Sequence, residues 1–348
     1  IWQTKLAIGL GNFDLSMDLR HWINEGLMAF FFLIVGLEIK REIVKGELRD
    51  RHKFLLPIGA AVGGMVLPAL IYTAFNLNGP GEAGWGITMA TDIAFAVAVL
   101  SLLGNKIPSG LKIFLLSLAM ADDIGAITVI ALFYSEVINI WYLLLSFLVA
   151  GLVWAFRKEL QYHIVIVFAL GIVLWLTTHH SGVHASIVGA VMGMLAPIGS
   201  DNEQRTAAER MEKLFLPFTT FFVLPVFALA NAGFEINKNV LNENQAVAIG
   251  IILGLLIGKS VGILVSSWLL VRFKVASLPN GVNWQHILGI GFLAGIGFTV
   301  SIFITELAFS GNHGLISTAK ASIFVASILA ATIGSLVLSA RNKKRPSS

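Results

Sequence analysis

Eleven continuous apolar runs set the terms on which this chain can fold. They lie at about 22–39, 54–75, 84–103, 108–135, 141–156, 162–177, 181–198, 214–233, 245–271, 287–309 and 318–340. Each is long enough, or nearly so for 141–156 and 162–177, to cross roughly 30 Å of hydrocarbon. The runs are unbroken rather than alternating, which implies helices and not a β-barrel. Of the 348 residues 56% are hydrophobic and only 13% are charged, where a water-soluble domain carries about a quarter. Lipid is therefore the expected solvent. The fold class read from this pattern is an all-α polytopic membrane protein. It divides into an exposed segment at 1–21, a single transmembrane region of about eleven helices at 22–340 and a basic tail at 341–348. With no cysteine, disulfides and thiolate chemistry are excluded.

The connections between runs alternate in charge. The stretch KREIVKGELRDRHK (40–53) is strongly basic, and every second connection after it repeats the pattern. These are Lys106 and Lys112, then Arg157 and Lys158, then Arg205, Arg210 and Lys213, then Arg272 and Lys274, and finally Arg341, Lys343, Lys344 and Arg345 in the tail. The intervening connections carry almost none, Lys238 and Lys320 being the exceptions. The positive-inside rule places the basic side in the cytoplasm, hence residue 1 outside and the C-terminus inside. The formal net charge of +4 is then a matter of topology, and nucleic acid is not an expected partner. No signal-peptide pattern opens the chain, so an exported start implies a further helix upstream, twelve in all.

Ionisable residues inside the runs weigh most, since each costs roughly 3 kcal/mol to insert. Asp122 and Asp123 lie midway along 108–135, Thr91 and Asp92 near the middle of 84–103, and Lys259 in LLIGKSVGIL of 245–271. Three carboxylates outnumber one ammonium. At least one of them must be protonated, hydrated or bound to a cation, and carboxylates crowded in a low-dielectric site titrate together. That is the requirement for a site exchanging protons against a cation. Adjacent aspartates point about 100° apart on a helix, so Asp122 and Asp123 serve different partners.

Two runs read as broken helices. Gly289, Gly291, Gly295 and Gly297 punctuate 287–309, and Thr91–Asp92 follows Gly84 and Gly86 in 84–103. Asp competes for backbone hydrogen bonds, which favours an unwound segment at 91–92. The triplets 54–135 and 245–340 have opposite orientation, each with its interrupted helix in the middle, while 141–233 intervenes. This is the layout of a secondary transporter built from inverted repeats with crossed half-helices. Asp92 would offset the positive ends of the half-helices and Lys259 their negative ends.

At the basic side, Glu38, Arg41 and Glu42 share a helix face, and Arg205, Glu209, Arg210 and Glu212 gather in DNEQRTAAERMEK. They form either a salt-bridged helix end or an acidic funnel mouth that draws in cations and responds to pH by coupled titration. His179, His180 and His184 lack the companion acid of a zinc site and suit an interfacial or hydrogen-bonded role. Trp141 and Trp175 suit an aromatic belt. The expected activity is secondary transport, with neither enzyme chemistry nor a cofactor. Its partners are alkali cations, protons and the lipid bilayer. Asp122 and Asp123 are the candidate cation ligands, and an oxygen-only site suits a hard cation. The main alternative is a sodium-coupled symporter of an organic anion. An intramembrane aspartyl protease using Asp92 with Asp122 or Asp123 is disfavoured by Lys259, which would neutralise one of the pair.

The strings FFLIVGLEIKRE (31–42), ATDIAFAVAVLSLLG (90–104), LKIFLLSLAMADDIGAITVIALFY (111–134), SGVHASIVG (181–189), LPVFALANAG (224–233), GLLIGKSVGI (254–263) and GIGFTVSIFI (295–304) resemble those of the bacterial NhaA family of Na⁺/H⁺ antiporters, across nearly the whole chain. The resemblance implies twelve helices, of which this chain begins after the first. It also implies that Asp122 and Asp123 are the ion-binding pair, with Asp123 the essential carboxylate. Thr91 and Asp92 match the broken-helix pair, and Lys259 the lysine that pairs with the first aspartate. Glu38, Arg41, Glu42, Glu212 and His184 match positions linked to the pH response. Glu25 stands where the best-known member has an aspartate, and Lys213 and Leu216 stand where it has histidines. The alkaline activation of that member is therefore not carried over. A homodimer joined by a β-hairpin, partly contained in 1–20, is also implied.

Overall fold

A computed structural model describes residues 2, 4–10, 13–46, 51–104, 107–135, 137–160, 162–196, 206–231, 233 and 243–340. Of the basic positions singled out above, Arg49, Lys106, Arg205, Lys238 and the tail 341–348 lie outside the described residues. The chain divides into two compact units. Unit 1 comprises Ile1–Gly46 and Val129–Gly233, and unit 2 comprises Glu47–Thr128 and Phe234–Ser348. Unit 2 thus gathers most of the two triplets whose opposite orientation the sequence suggests.

Unit 1 opens with an antiparallel hairpin, β1 (Lys5–Leu10) and β2 (Phe13–Asp18), in register from Lys5 opposite Asp18 to Leu10 opposite Phe13. The exposed N-terminal segment of an otherwise helical chain is therefore a β-ribbon. Asp18 ends the ribbon and caps the next turn, accepting from the His21 N–H at 2.7 Å. A π-helical turn, Trp22–Leu27, then leads into α1 (Met28–Lys45). Helices α5 (Ile140–Ala155), α6 (Ile164–His180), α7 (Ile187–Leu195), α8 (Ala207–Phe218) and α9 (Leu224–Asn231) complete the unit. Asn139 caps α5, and Thr206 with Glu209 forms a capping box on α8. Leu33, Ile34, Leu37, Val149, Leu174, Val188 and Met211 share one apolar core.

Unit 2 holds α2 (Arg51–Asn76), a 3₁₀ half-helix (Glu82–Thr88), α3 (Ile93–Leu102) and α4 (Ser109–Phe133). Its second series is α10 (Gln245–Leu253), a π-helical turn (Gly254–Gly258), α11 (Lys259–Arg272), α12 (Trp284–Ala294), α13 (Phe298–Ala308) and α14 (His313–Ser339). Both expected breaks are present, at 89–92 and 295–297. The α12–α13 pair is bent by 47°.

Each of the eleven apolar runs contains helix. By length and composition alone, six continuous stretches among the described residues are long and apolar enough to cross a membrane, and the bent α12–α13 pair makes a seventh. The shortfall has local causes. Helix α1 carries charges along its last turns, and α5 and α6 are only 16 and 17 residues long. The run 181–198 spends its first residues on a turn. There Gly182 adopts a left-handed φ of 83°, and a Cβ in its place would lie 2.4 Å from the Val137 carbonyl oxygen. Helix α7 begins only beyond that turn, at Ile187. Large apolar side chains such as Leu132, Phe221, Leu229 and Leu336 are exposed, as a lipid solvent permits and water does not.

In unit 2 the close approach of α2 and α11 sets the position of Lys259. A Cβ at Gly262 would come within 2.2 Å of the Gly63 carbonyl oxygen, so the two backbones touch. Gly262→Val should therefore cost about 1–3 kcal/mol by overpacking and lower Tm in detergent. Gly151 of α5, with nothing within 4 Å of its virtual Cβ, is the control, and its replacement by Ala should leave Tm unchanged or slightly raised. Equal melting of the two variants would refute the close-packing account.

Candidate cation-exchange site

The broken helices cross within unit 2, and hydrogen bonds to backbone exposed by the breaks stitch them together. The Asp92 N–H donates to the Ile296 carbonyl at 2.6 Å. Ser301 Oγ donates to the Ile87 carbonyl at 2.7 Å, and Thr91 Oγ1 lies 2.9 Å from the Ala294 carbonyl. Unwound backbone inside a membrane protein has to be satisfied by protein in this way.

Two side chains take up the ends of the half-helices. Asp92 is the N-cap of α3, its Oδ1 accepting from the Phe95 N–H at 3.3 Å. Its Oδ2 accepts from the N–H and the hydroxyl of Thr299, in the first turn of α13, at 3.0 and 2.6 Å. One carboxylate therefore faces the positive ends of two half-helices. Lys259 does the converse, donating to the Met89 carbonyl at the C-terminal end of the 3₁₀ half-helix. The π-helical turn that immediately precedes Lys259 offsets the helical ladder at that point, a device common at functional sites.

Asp122, on α4, meets this crossing. Its Oδ2 accepts from Lys259 Nζ at 2.8 Å and from Thr91 Oγ1 at 2.6 Å. Asp122 and Lys259 are both 0% exposed. Asp122 Oδ1 is buried without a hydrogen-bond partner, which is costly for a carboxylate oxygen left that way. Asp123, the next residue on α4, is buried too, turned about 100° from Asp122 by helical geometry. Thr91, Asp122 and Lys259 are thus in direct contact, and Asp92 is their neighbour in sequence but binds Thr299. Three buried carboxylates and one buried ammonium occupy unit 2 around the crossing.

Among the described residues no group of three or more His, Cys, Asp or Glu side chains could hold a metal ion. The donors that are present, carboxylate, hydroxyl and freed carbonyl oxygens, are hard, and they fit an alkali cation arriving as cargo.

The remaining candidates belong to unit 1 and form two separate groups. Arg41 of α1 pairs with Glu212 of α8, on the helix end that also carries Glu38 and Glu42, while Glu209 is engaged in the α8 cap. His184 is not part of that group. Its Nδ1 lies 2.8 Å from Glu25 Oε1 and its Nε2 2.7 Å from the Tyr134 carbonyl oxygen. Glu25 Oε2 in turn accepts from the N–H groups of Ala185 and Ser186, ahead of α7, at 2.6 and 3.3 Å. Glu25 and Arg41 are sixteen residues apart, about 24 Å along a helix. Trp175 donates its indole N–H to the Glu25 carbonyl at 3.0 Å and stacks on Trp22. His180 Nδ1 lies 2.8 Å from the Leu176 carbonyl oxygen, so the three histidines do not converge on one point.

Three participants escape sequence reasoning. Thr299 directly follows the Gly295–Gly297 break and Phe298, a position analogous to Thr91–Asp92 at the other break, and that analogy was the available signal. Glu25 is an ionisable residue inside an apolar run. Lys320, read above as a charge in a connection, lies inside α14 and is paired with Glu306 of α13.

Crossed, interrupted helices in an apolar bundle, with buried carboxylates in excess of lysine at the crossing, define a membrane-embedded secondary transporter of the inverted-repeat kind. A sequence model of the family described as Na⁺/H⁺ antiporter 1 matches residues 1–338. Na⁺/H⁺ antiporter NhaA 1 of Clostridium beijerinckii is 48% identical over 344 residues, which cover 97% of this chain and 85% of the relative. The NhaA 2 antiporter of Aliarcobacter butzleri is 40% identical over 353 residues, 99% of this chain and 88% of the relative. The NhaA antiporter of Aliivibrio fischeri is 42% identical over 327 residues, 93% and 86% respectively. The chain belongs to the NhaA family of Na⁺/H⁺ antiporters.

Proposed function

We propose that this protein exchanges cytoplasmic Na⁺, or Li⁺, for external protons across the bacterial inner membrane, with its C-terminus in the cytoplasm. The observation that carries the proposal is the imbalance at the crossing. Asp92, Asp122 and Asp123 are all buried in unit 2, Lys259 bonds Asp122, and Asp122 Oδ1 has no hydrogen-bond partner. A low-dielectric site in that condition gains by taking up a proton or a cation, and either one occupies the place of the other.

Exchange follows from competition. Open to the cytoplasm, Asp122 and Asp123 release protons and Na⁺ binds their oxygens together with hydroxyl, carbonyl or water oxygens. Charge-neutralised, the site passes to the other side as the inverted repeats move against each other by alternating access. Outside, protons displace the ion. The two substrates need no separate wire between them, because each excludes the other from the same groups. Two carboxylates exchanging against one monovalent cation move net charge, so the membrane potential assists the cycle and more protons enter than sodium ions leave. The charged end of α1 and α8, with Glu38, Arg41, Glu42 and Glu212, is the proposed entry and pH-responsive surface. His184 with Glu25 is a second such place, and the N-terminal ribbon is the proposed dimer contact.

The test is collapse of a pre-formed ΔpH in everted vesicles, measured from pH 6 to 9 with each alkali ion in turn. Na⁺ and Li⁺ should collapse the gradient saturably, and a potassium diffusion potential should change the rate. Absence of ion-driven proton movement, together with sodium-dependent uptake of an organic anion, would replace this reading by the symporter.

A further inference from the structure

The exchange cycle uses one buried ion pair of unit 2, and a second lies elsewhere in the same unit. Lys320 of α14 is 3% exposed. Its Nζ stands 2.5 Å from Oε1 of Glu306 on α13, whose side chain is 10% exposed. Both are costly inside spanning helices, and a buried ion pair is commonly no more stabilising than apolar side chains of similar size. Stability alone therefore does not account for the pair, whereas its place in α13 does.

The half-helix α13 is only eleven residues long, and its first turn holds Asp92 through Thr299. Glu306 follows Thr299 by seven residues, close to two turns, so it lies on the same face about 10 Å further along the axis. At its start α13 is cut off from α12 by the break at 295–297, which leaves no continuous helix to set its depth or rotation. Its other end turns through Phe309–Asn312 into α14, a helix of 27 residues capped by Asn312. Glu306 in the last turns of α13 and Lys320 in the second turn of α14 close this corner. Other polar side chains of the two helices bond elsewhere: Thr305 Oγ1 donates to the Ser301 carbonyl at 2.8 Å, Ser322 Oγ donates to the Thr318 carbonyl at 2.7 Å, and Thr318 Oγ1 accepts from Asn244 Nδ2 at 3.3 Å.

We propose that Glu306 and Lys320 are a positioning pair for the cation site: by locking α13 to α14 they hold Thr299 on Asp92 and so set the affinity of the crossing for the transported cation. The proposal rests on the crossing being the exchange site. Neither residue touches the ion, and both act through Thr299 and Asp92. Apolar contacts slide past one another at little cost, but separating a buried charge from its counter-charge strands both in a low-dielectric interior, so the pair fixes depth and rotation where packing alone would not.

The experiment compares wild type with the double variant Glu306→Leu/Lys320→Met, which strands no charge, in everted vesicles and by thermal melting. Loss of such supporting contacts typically weakens ion affinity 10- to 100-fold, so KM for Na⁺ should rise about tenfold while the maximal rate stays within about twofold and melting stays near wild type. A wild-type KM in a double variant that inserts overturns the proposal. If the double variant does not insert, Glu306→Asp decides, since it keeps the charge and shortens the reach by one methylene. A raised KM then supports the pair's role, and an unchanged KM overturns it. Asp123→Asn, measured in parallel, separates the two readings. Transport by that variant would mean the exchange site itself is misplaced. Its inactivity, beside pair variants of wild-type KM, would remove only the positioning role.

Discussion

Asp123→Asn abolishes Na⁺-driven collapse of ΔpH in everted vesicles, while the protein inserts and melts close to wild type. The substitution is nearly isosteric and removes one negative charge without opening a cavity, so the fold should tolerate it. What it removes is the charge of one of three buried carboxylates in unit 2. Asp122 already has Lys259 and Thr91, and Asp92 already has Thr299 and the start of α3. With Asp123 neutral, a monovalent cation entering the site meets one buried carboxylate fewer beside Asp122, whose Oδ2 is already bonded to Lys259 and Thr91. Affinity and rate should fall by at least about a hundredfold, the upper end of what loss of an ion-site group costs. Normal exchange by this variant would refute the assignment of the site.

Lys259→Ala has the largest expected effect on stability. Lys259 is a single contact between Asp122 on α4 and the freed Met89 carbonyl of the 3₁₀ half-helix. Removing one partner of a buried pair strands the other, at about 3–5 kcal/mol, and here it also unties a half-helix end. The expected result is a large drop in Tm and a shifted pH dependence of exchange, with the ranking of alkali cations preserved. The ranking should be preserved because an ammonium, having no free lone pair, cannot ligate a cation. Unchanged melting together with an unchanged pH profile would show that the contact carries no weight. Lys259→Arg is a useful companion, because a planar guanidinium cannot reproduce the point contact of an ammonium with two acceptors.

Sequence reasoning located the crossing for a physical reason. Asp92, Asp122, Asp123 and Lys259 are visible because ionisable groups inside apolar runs are expensive, and the breaks are visible because Thr-Asp and Gly-x-Gly sit badly in helices. The partners that complete the geometry were not legible on that basis. Thr299 is neutral and common in membrane helices, so its place beside the Gly295–Gly297 break marks it only by analogy and does not reveal that its partner is a carboxylate 207 residues away. The partnership of Glu25 with His184, 159 residues apart, is equally non-local. Lys320 was misplaced because its charge fitted a loop, and only the burial of Glu306 beside it explains a lysine in that helix. The π-helical turns before α1 and before Lys259 leave the apolar pattern unaltered, so hydropathy could not reveal them.

Helix α1 is pinned near both extremities within unit 1, by Glu25 against His184 and the start of α7, and by Arg41 against Glu212 of α8. A rod clamped at two points resists bending between them and can yield only by pivoting. The two clamps lie sixteen residues apart, some two dozen ångströms by helical rise. Both clamps are made by ionisable side chains, so what restrains each end of the segment is charge rather than apolar packing alone.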